Sequence, residues 1–111
     1  LFNKLSKIDT KGIILSVHPG QHVNLGSPTE IVVKNSLDDL YYHGKLVEYL
    51  NCQEINIHLG GTYGDKESAK LRFIENFNLL YNKNITIEND ELSYTVEDCL
   101  EVANKLKIPV F

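Results

Sequence analysis

The chain has 111 residues, 42% hydrophobic and 23% charged, and eleven basic against fifteen acidic side chains give a net charge of −4. That is enough for one modest domain with one core, and it argues against a protein whose main task is to coat nucleic acid, since such chains carry a basic stripe. It leaves room for an enzyme that acts on nucleic acid, because bound metal ions add positive charge at the site itself.

Cys52 and Cys99 lie far apart and form no CxxC pair, so they read as reduced, buried thiols of a cytoplasmic protein. No apolar run approaches a membrane span, and no stretch reads as a signal peptide, so no membrane partner is expected. The chain starts at Leu1 and stops on the apolar run Ile108-Pro109-Val110-Phe111, a strand with no sequel. The expectation is one domain over residues 1–111, the central part of a longer protein.

In chain order, Leu1, Phe2, Leu5 and Ile8 share one helical face, the tail of a helix that Lys11-Gly12 closes. Ile13 to Val17 reads as a first strand, ending at His18, whose backbone the following proline holds extended. Pro19-Gly20 suits the centre of a type II turn from His18 to Gln21, with Gln21 and His22 on an exposed loop above His18. Ser27-Pro28-Thr29-Glu30 reads as a capping box with proline at the first helical position. Leu37, Leu40, Tyr41, Gly44, Val47 and Glu48 trace the stripe that follows. Ser36 is a second candidate cap, so one long helix and two shorter ones both fit. Asn51-Cys52 ends the segment.

A second strand runs through Glu54-Ile55-Asn56-Ile57-His58 and breaks on Gly60-Gly61, opening a loop with room for a ligand. Asp65 is a plausible cap for a helix whose buried face is Ala69, Phe73, Phe77 and Leu80, with Lys66, Glu67 and Lys70 on its solvated face. Asn84 to Glu88 is a third strand. Thr95-Val96-Glu97-Asp98 caps a last helix with Val96, Cys99, Leu100, Ala103 and Leu106 as its stripe, and a final strand starts at Ile108.

Strands alternating with helices predict an α/β fold with a parallel sheet and right-handed crossovers. Three strand ends share one design: Ser16-Val17-His18, Asn56-Ile57-His58 and Thr86-Ile87-Glu88 each run from a small polar residue through an apolar one to a metal-capable side chain, then into turn residues. Period two puts Leu15, Val17, Ile55, Ile57, Ile85 and Ile87 toward the helix layer and the polar residues on the opposite face. Central strands of a doubly wound sheet are apolar on both faces. A polar face on successive strands instead suits the lumen of a (β/α)8 TIM barrel, with a site at its C-terminal end. A whole barrel needs roughly 250 residues, so the chain reads as an incomplete one.

His18, His58 and Glu88 would sit at one height on one face, where two imidazoles and a carboxylate are good ligands for manganese, zinc or iron. His43, beside Tyr41 and Tyr42 in a helix, reads as a helix-surface or helix-packing histidine. His22, on a loop, reads as a substrate contact rather than a ligand. Lys66, just after the Gly-rich loop, could reach a phosphate. That loop matches neither a P-loop nor a dinucleotide fingerprint.

Four motifs in this order resemble the UV damage endonuclease family: His18-Pro19-Gly20-Gln21; His58-Leu59-Gly60-Gly61 followed by Tyr63-Gly64-Asp65-Lys66; Arg72-Phe73; and Glu88-Asn89-Asp90. The resemblance runs from about Gly12 to Phe111. It implies a TIM barrel related to endonuclease IV and the sugar isomerases. It implies hydrolysis of the phosphodiester bond 5′ to UV photoproducts in double-stranded DNA, with a cluster of divalent ions, manganese foremost and zinc or magnesium as alternatives. His18, His58 and Glu88 match family metal ligands, and further ligands are expected before and after this chain. Gln21 and His22 match a loop pair that probes the damaged site, with Tyr63 and Lys66 as further DNA contacts. The family commonly has Tyr or Phe where His22 stands, which offers less apolar surface for stacking on a base. Two other readings compete. One is a metal-dependent sugar isomerase or epimerase on the same barrel. The other is a non-enzymatic piece whose exposed strand edges lead it to self-associate.

Overall fold

Two short parallel strands, β1 (Ile55–His58) and β2 (Ile85–Glu88), pair in register, with Ile55 opposite Ile85 and His58 opposite Glu88. The computed structural model describes residues 2–9, 11–89 and 93–110. What the sequence suggests for Leu1, the Phe2 side chain, Asp90 and Phe111 lies outside the described residues.

The strands are flanked by extended segments joined through single parallel bridges, Val17 to Ile55 on one side and Val110 to Ile87 on the other. Four parallel segments thus lie side by side in chain order, with a helix in each connection: α2 (Glu30–Leu50), α3 (Lys66–Phe77) and α4 (Val96–Leu106). A short α1 (Phe2–Ser6) lies against α2. This is the α/β barrel pattern expected from the sequence.

The alternation in β1 and β2 sets the two faces. Ile55, Ile57, Ile85 and Ile87 are at most 2% exposed and join Leu40, Val47, Phe73, Phe77, Cys99 and Val102 in the core. Each such isoleucine contributes about 2 kcal/mol of transfer free energy. Cys99 is wholly buried and Cys52 half-buried. Asn56, His58, Thr86 and Glu88 occupy the other face, as period two requires. No described helix is long and apolar enough to cross a membrane.

Several local expectations change. The first strand shrinks to one bridge: Leu15 and Val17 bond to the backbone at Gln53, Glu54 and Asn56, whereas Ile13 and Ile14 are 62% and 77% exposed. The opening helix ends at Ser6, short of Lys11-Gly12, and leaves Ile8 exposed. The tight turn after His18 is not of type II, since Gly20 lacks the positive φ that its third position demands. Instead the Val23 N–H bonds the Gly20 carbonyl, centring the turn on Gln21 and His22.

Helix α2 is one piece of 21 residues whose N-cap position is Thr29 rather than Ser27, with no capping hydrogen bond from the Thr29 side chain. Ser27 is buried and its hydroxyl accepts from the Thr29 N–H at 3.1 Å, a local turn that uses up the cap before the helix begins. Ser36 caps nothing. It is buried in mid-helix, donating to the Val32 carbonyl and accepting the Asn24 N–H, both at 2.7 Å. Tyr41, assigned to the α2 stripe, is 49% exposed. Asn51, in the left-handed region, ends α2.

Asp65 caps α3 by accepting the Ser68 N–H. Thr95 and Asp98 form the full capping box of α4. The stripe of α4 is rotated from expectation: Val102 is buried, while Val96 and Leu100 are 52% and 46% exposed. Lys70, expected on the solvated face of α3, is only 5% exposed. Its ammonium meets Glu67, Asp98 and Glu101, so burial comes with three partners.

Candidate metal centre

The parallel register does most of the work of assembly. His58 and Glu88 are directly opposite at the C-terminal ends of β1 and β2, and His18 follows Val17, which bridges to Ile55. One ligand atom from each of His18, His58 and Glu88 lies within 4.8 Å of the other two. The two imidazole centroids are 5.1 Å apart, edge to face. His18 Nε2 is 3.4 Å from Glu88 Oε2, both side chains being partly open to solvent.

The donor chemistry fits a divalent cation. His18 Nδ1 lies 2.8 Å from the Pro19 carbonyl oxygen, which can only accept, so Nδ1 carries a proton and, in the neutral ring, Nε2 is the nitrogen left to bind a cation. That is how a metal-binding histidine is commonly oriented. The Nδ1 of His58 is buried and meets no hydrogen-bond partner among the described residues. The triad thus offers two imidazoles and a carboxylate, a set compatible with a divalent metal.

The loops above the strands are held from below. Arg72 Nε donates to the Gly26 carbonyl at 2.8 Å, and Asn76 Nδ2 to the Leu25 carbonyl at 2.7 Å. The Arg72-Phe73 motif therefore has a structural reading: Arg72 clamps the loop after His18 while Phe73 fills the core. Gly60 has φ +94°, and a Cβ there would come within 1.9 Å of Asn24 Oδ1, so both its backbone conformation and the Asn24 side chain favour glycine. Tyr94 closes the other side, its hydroxyl donating to the Gly61 carbonyl at 3.1 Å.

Gln21 and His22 stand exposed on their turn. The His22 ring lies over Gly20, with Nε2 3.4 Å from Asp39 Oδ2 on α2. His43, also on α2, approaches the same carboxylate at 3.5 Å and bonds its Nδ1 to the Asp39 carbonyl, as a packing histidine would. Tyr63 is 45% exposed and held at φ 52°, an uncommon conformation for a tyrosine, with the Arg72 guanidinium 6.0 Å from its ring. Lys66 is engaged by α4, its Nζ 2.8 Å from Asp98 Oδ2. Asn89 is half-buried beyond Glu88.

Sequence reasoning missed the layer beneath the triad. Asn56 Nδ2 donates to Glu88 Oε2 at 2.7 Å, and Thr86 Oγ1 donates to Asn56 Oδ1 at 3.2 Å. The small polar residue two positions before each ligand was the available signal.

Residues 5–111 match the family model described as UV-endonuclease UvdE. The chain is 38% identical over 109 residues to a UV DNA damage endonuclease of Clostridium perfringens, covering 93% of this chain and 26% of that protein. It is 40% identical over 106 residues to a UV-damage endonuclease of Neurospora crassa (86% of this chain, 16% of that protein). The solved structure of SacUVDE superposes with a TM-score of 0.89 at 38% identity, over 99% of this chain and 42% of that one. The chain thus spans well under half the length of these relatives, and its parallel strands and helices follow a segment of that barrel. With a family match over nearly every residue and the same fold at 38% identity, the chain belongs to the UV-endonuclease UvdE family.

Proposed function

We propose that the protein carrying this chain is a metal-dependent DNA repair endonuclease that cleaves the phosphodiester bond 5′ to UV photoproducts in double-stranded DNA. The observation that carries the reading is the meeting of His18, His58 and Glu88 within 4.8 Å, in a chain of the UvdE family. These residues would hold part of a divalent-ion site, with manganese the first candidate and zinc or magnesium the alternatives. Bound there, such an ion supplies Lewis acidity at a phosphate oxygen and a bound water of lowered pKa.

The chain's own residues have separable tasks. The Pro19 carbonyl keeps the proton of His18 on Nδ1, leaving Nε2 as a donor of electrons. Glu88 brings the only formal negative charge of the triad, which strengthens its hold on a cation. Gln21 and His22, exposed on a turn of the loop that Arg72 and Asn76 hold further along at Gly26 and Leu25, test the duplex for bases that leave the stack easily. Flipping costs least where a lesion has already weakened pairing and stacking. Tyr63 offers a ring for a base or sugar beside them. Family membership favours this reading over a sugar isomerase on the same barrel.

The test is nicking of UV-irradiated supercoiled plasmid by the complete protein with manganese. Nicking of irradiated but not of untreated plasmid, abolished by chelation, is the expected result. A folded, manganese-loaded protein that leaves irradiated plasmid intact overturns the proposal.

A further inference from the structure

The period that puts His58 and Glu88 at the strand tips puts Asn56 and Thr86 one step lower on the same face, again directly opposite each other. Both are almost wholly buried, at 7% and 8% exposed. Buried polar side chains need partners, and these two find them in each other and in Glu88. We propose that Asn56 and Thr86 are positioning residues that pre-set the Glu88 carboxylate for a divalent cation; the inference rests on the metal-site reading above.

The direction of each hydrogen bond follows from the donor inventory. A carboxylate oxygen accepts only, so the group 2.7 Å from Glu88 Oε2 must be the amide nitrogen of Asn56. Its amide oxygen then faces the Thr86 hydroxyl at 3.2 Å and takes that proton. Turning the amide over would set its oxygen against the carboxylate and leave the hydroxyl to accept from nitrogen. The acceptor-only carboxylate therefore sets which way the amide faces, and the Thr86 hydroxyl, donating to the amide oxygen, helps to hold it there.

The oxygen held in this way is the one that lies 3.4 Å from His18 Nε2. Asn56 thus fixes the arm of the triad with the most rotatable bonds before a cation arrives. An unsupported glutamate would lose that freedom on binding instead. Bonds of this kind around metal ligands typically change metal affinity by about 10–100-fold.

The experiment is titration of the complete protein with Mn2+, followed by the electron paramagnetic resonance of the free ion, alongside the thermal midpoint of the metal-free protein. Asn56→Leu, close in volume and without a donor, is expected to weaken Mn2+ binding by about 10–100-fold. Thr86→Val keeps the shape but leaves the amide oxygen without its donor, and an effect of roughly 10-fold is expected. Thr86→Ser should restore affinity to near the wild-type value. Thr86→Val also leaves a buried acceptor unpaired and is expected to lower the thermal midpoint, so the readout that a merely structural role would not move is the Mn2+ affinity of the folded protein. Wild-type affinity in Thr86→Val overturns the inference even if Asn56→Leu fails to fold, and so does equal weakening by Val and Ser. A wild-type protein that binds Mn2+ tightly but leaves irradiated DNA uncut removes the nuclease reading and leaves the positioning role standing. A wild-type protein that binds no Mn2+ removes both.

Discussion

The polar cluster between α3 and α4 and the one at the strand tips are built on opposite plans. Between α3 and α4, Lys66 and Lys70 meet Glu67, Asp98 and Glu101, so cations and anions answer one another. The Lys66 ammonium and then the Thr95 backbone N–H hold the Asp98 carboxyl well below its usual range. The hydrogen bond that Lys70 donates to Glu101 holds its ammonium above the usual range, against the opposing pull of burial. At the strand tips the arrangement is one-sided: two imidazoles and a carboxylate converge, and no described lysine or arginine pairs with Glu88. A cluster that neutralises itself is a brace between helices. One made of electron-pair donors alone is suited to a cation from outside.

The comparison breaks most visibly at Glu88. Glu88→Gln removes the only formal charge of the triad while keeping its shape and its ability to accept from Asn56. Mn2+ affinity and nicking of irradiated DNA by the complete protein are expected to fall by at least about 100-fold. The thermal midpoint without metal should barely move. Wild-type Mn2+ affinity and turnover in this variant would sink the ligand assignment.

The helix brace should respond in the reverse sense. Lys70→Met keeps the aliphatic stem but leaves three carboxylates without their shared cation. Breaking a buried ion pair costs about 3–5 kcal/mol, and the exposure of Glu67 and Glu101 brings the expected loss to roughly 2–3 kcal/mol. Urea unfolding reads the loss. Mn2+ affinity should be unchanged, and a shift in affinity with no loss of stability would mean the two clusters are not separate.

A smaller effect sharpens the same contrast through pH. The folded-state pKa of Asp98 is depressed, so its contribution is present above the unfolded value, near pH 4, and is lost as pH falls below it. Asp98→Asn should therefore cost about 1–2 kcal/mol at pH 7 and progressively less as the pH drops below 4. A stability difference that stays constant from pH 7 to pH 2 would show that the carboxylate charge is not what matters.

The strand tips were legible in the sequence because period two is a rigid rule: Ile-Asn-Ile-His and Ile-Thr-Ile-Glu have one way to bury their isoleucines. The full capping box at Thr95 was legible for a similar reason, since short-range hydrogen bonds leave a fixed spacing. Other features depend on tertiary partners that spacing does not reveal. Lys70 reads as solvated until α4 brings Asp98 and Glu101 to it. Ser27 reads as a cap, yet its hydroxyl closes a turn instead. Val102 displaces Leu100 from the α4 stripe because the helix rotates to suit β2, a choice no single-helix pattern contains. Ser36 shows the same limit. Nothing in its neighbourhood announces that it ties α2 to Asn24.

The smallest expected effect concerns His22, on the loop proposed to probe DNA. His22 lies over Gly20 with its Nε2 3.4 Å from Asp39, so the side chain proposed to probe the duplex has a resting place on α2. Tyrosine at this position would gain stacking surface and would exchange the contact with the Asp39 carboxylate for a phenol hydroxyl. Base–aromatic stacking is worth about 1–3 kcal/mol for a full ring, and the difference between imidazole and phenol is a fraction of that. His22→Tyr should therefore tighten binding to lesion-bearing duplex by a few-fold, roughly 3-fold to 5-fold, and leave binding to undamaged duplex unchanged. Fluorescence anisotropy with matched lesion and control duplexes measures both. Tightening on both duplexes alike would assign the gain to general affinity rather than to damage recognition. Unchanged or weaker lesion binding would mean that His22 is placed by Asp39 for some purpose other than stacking.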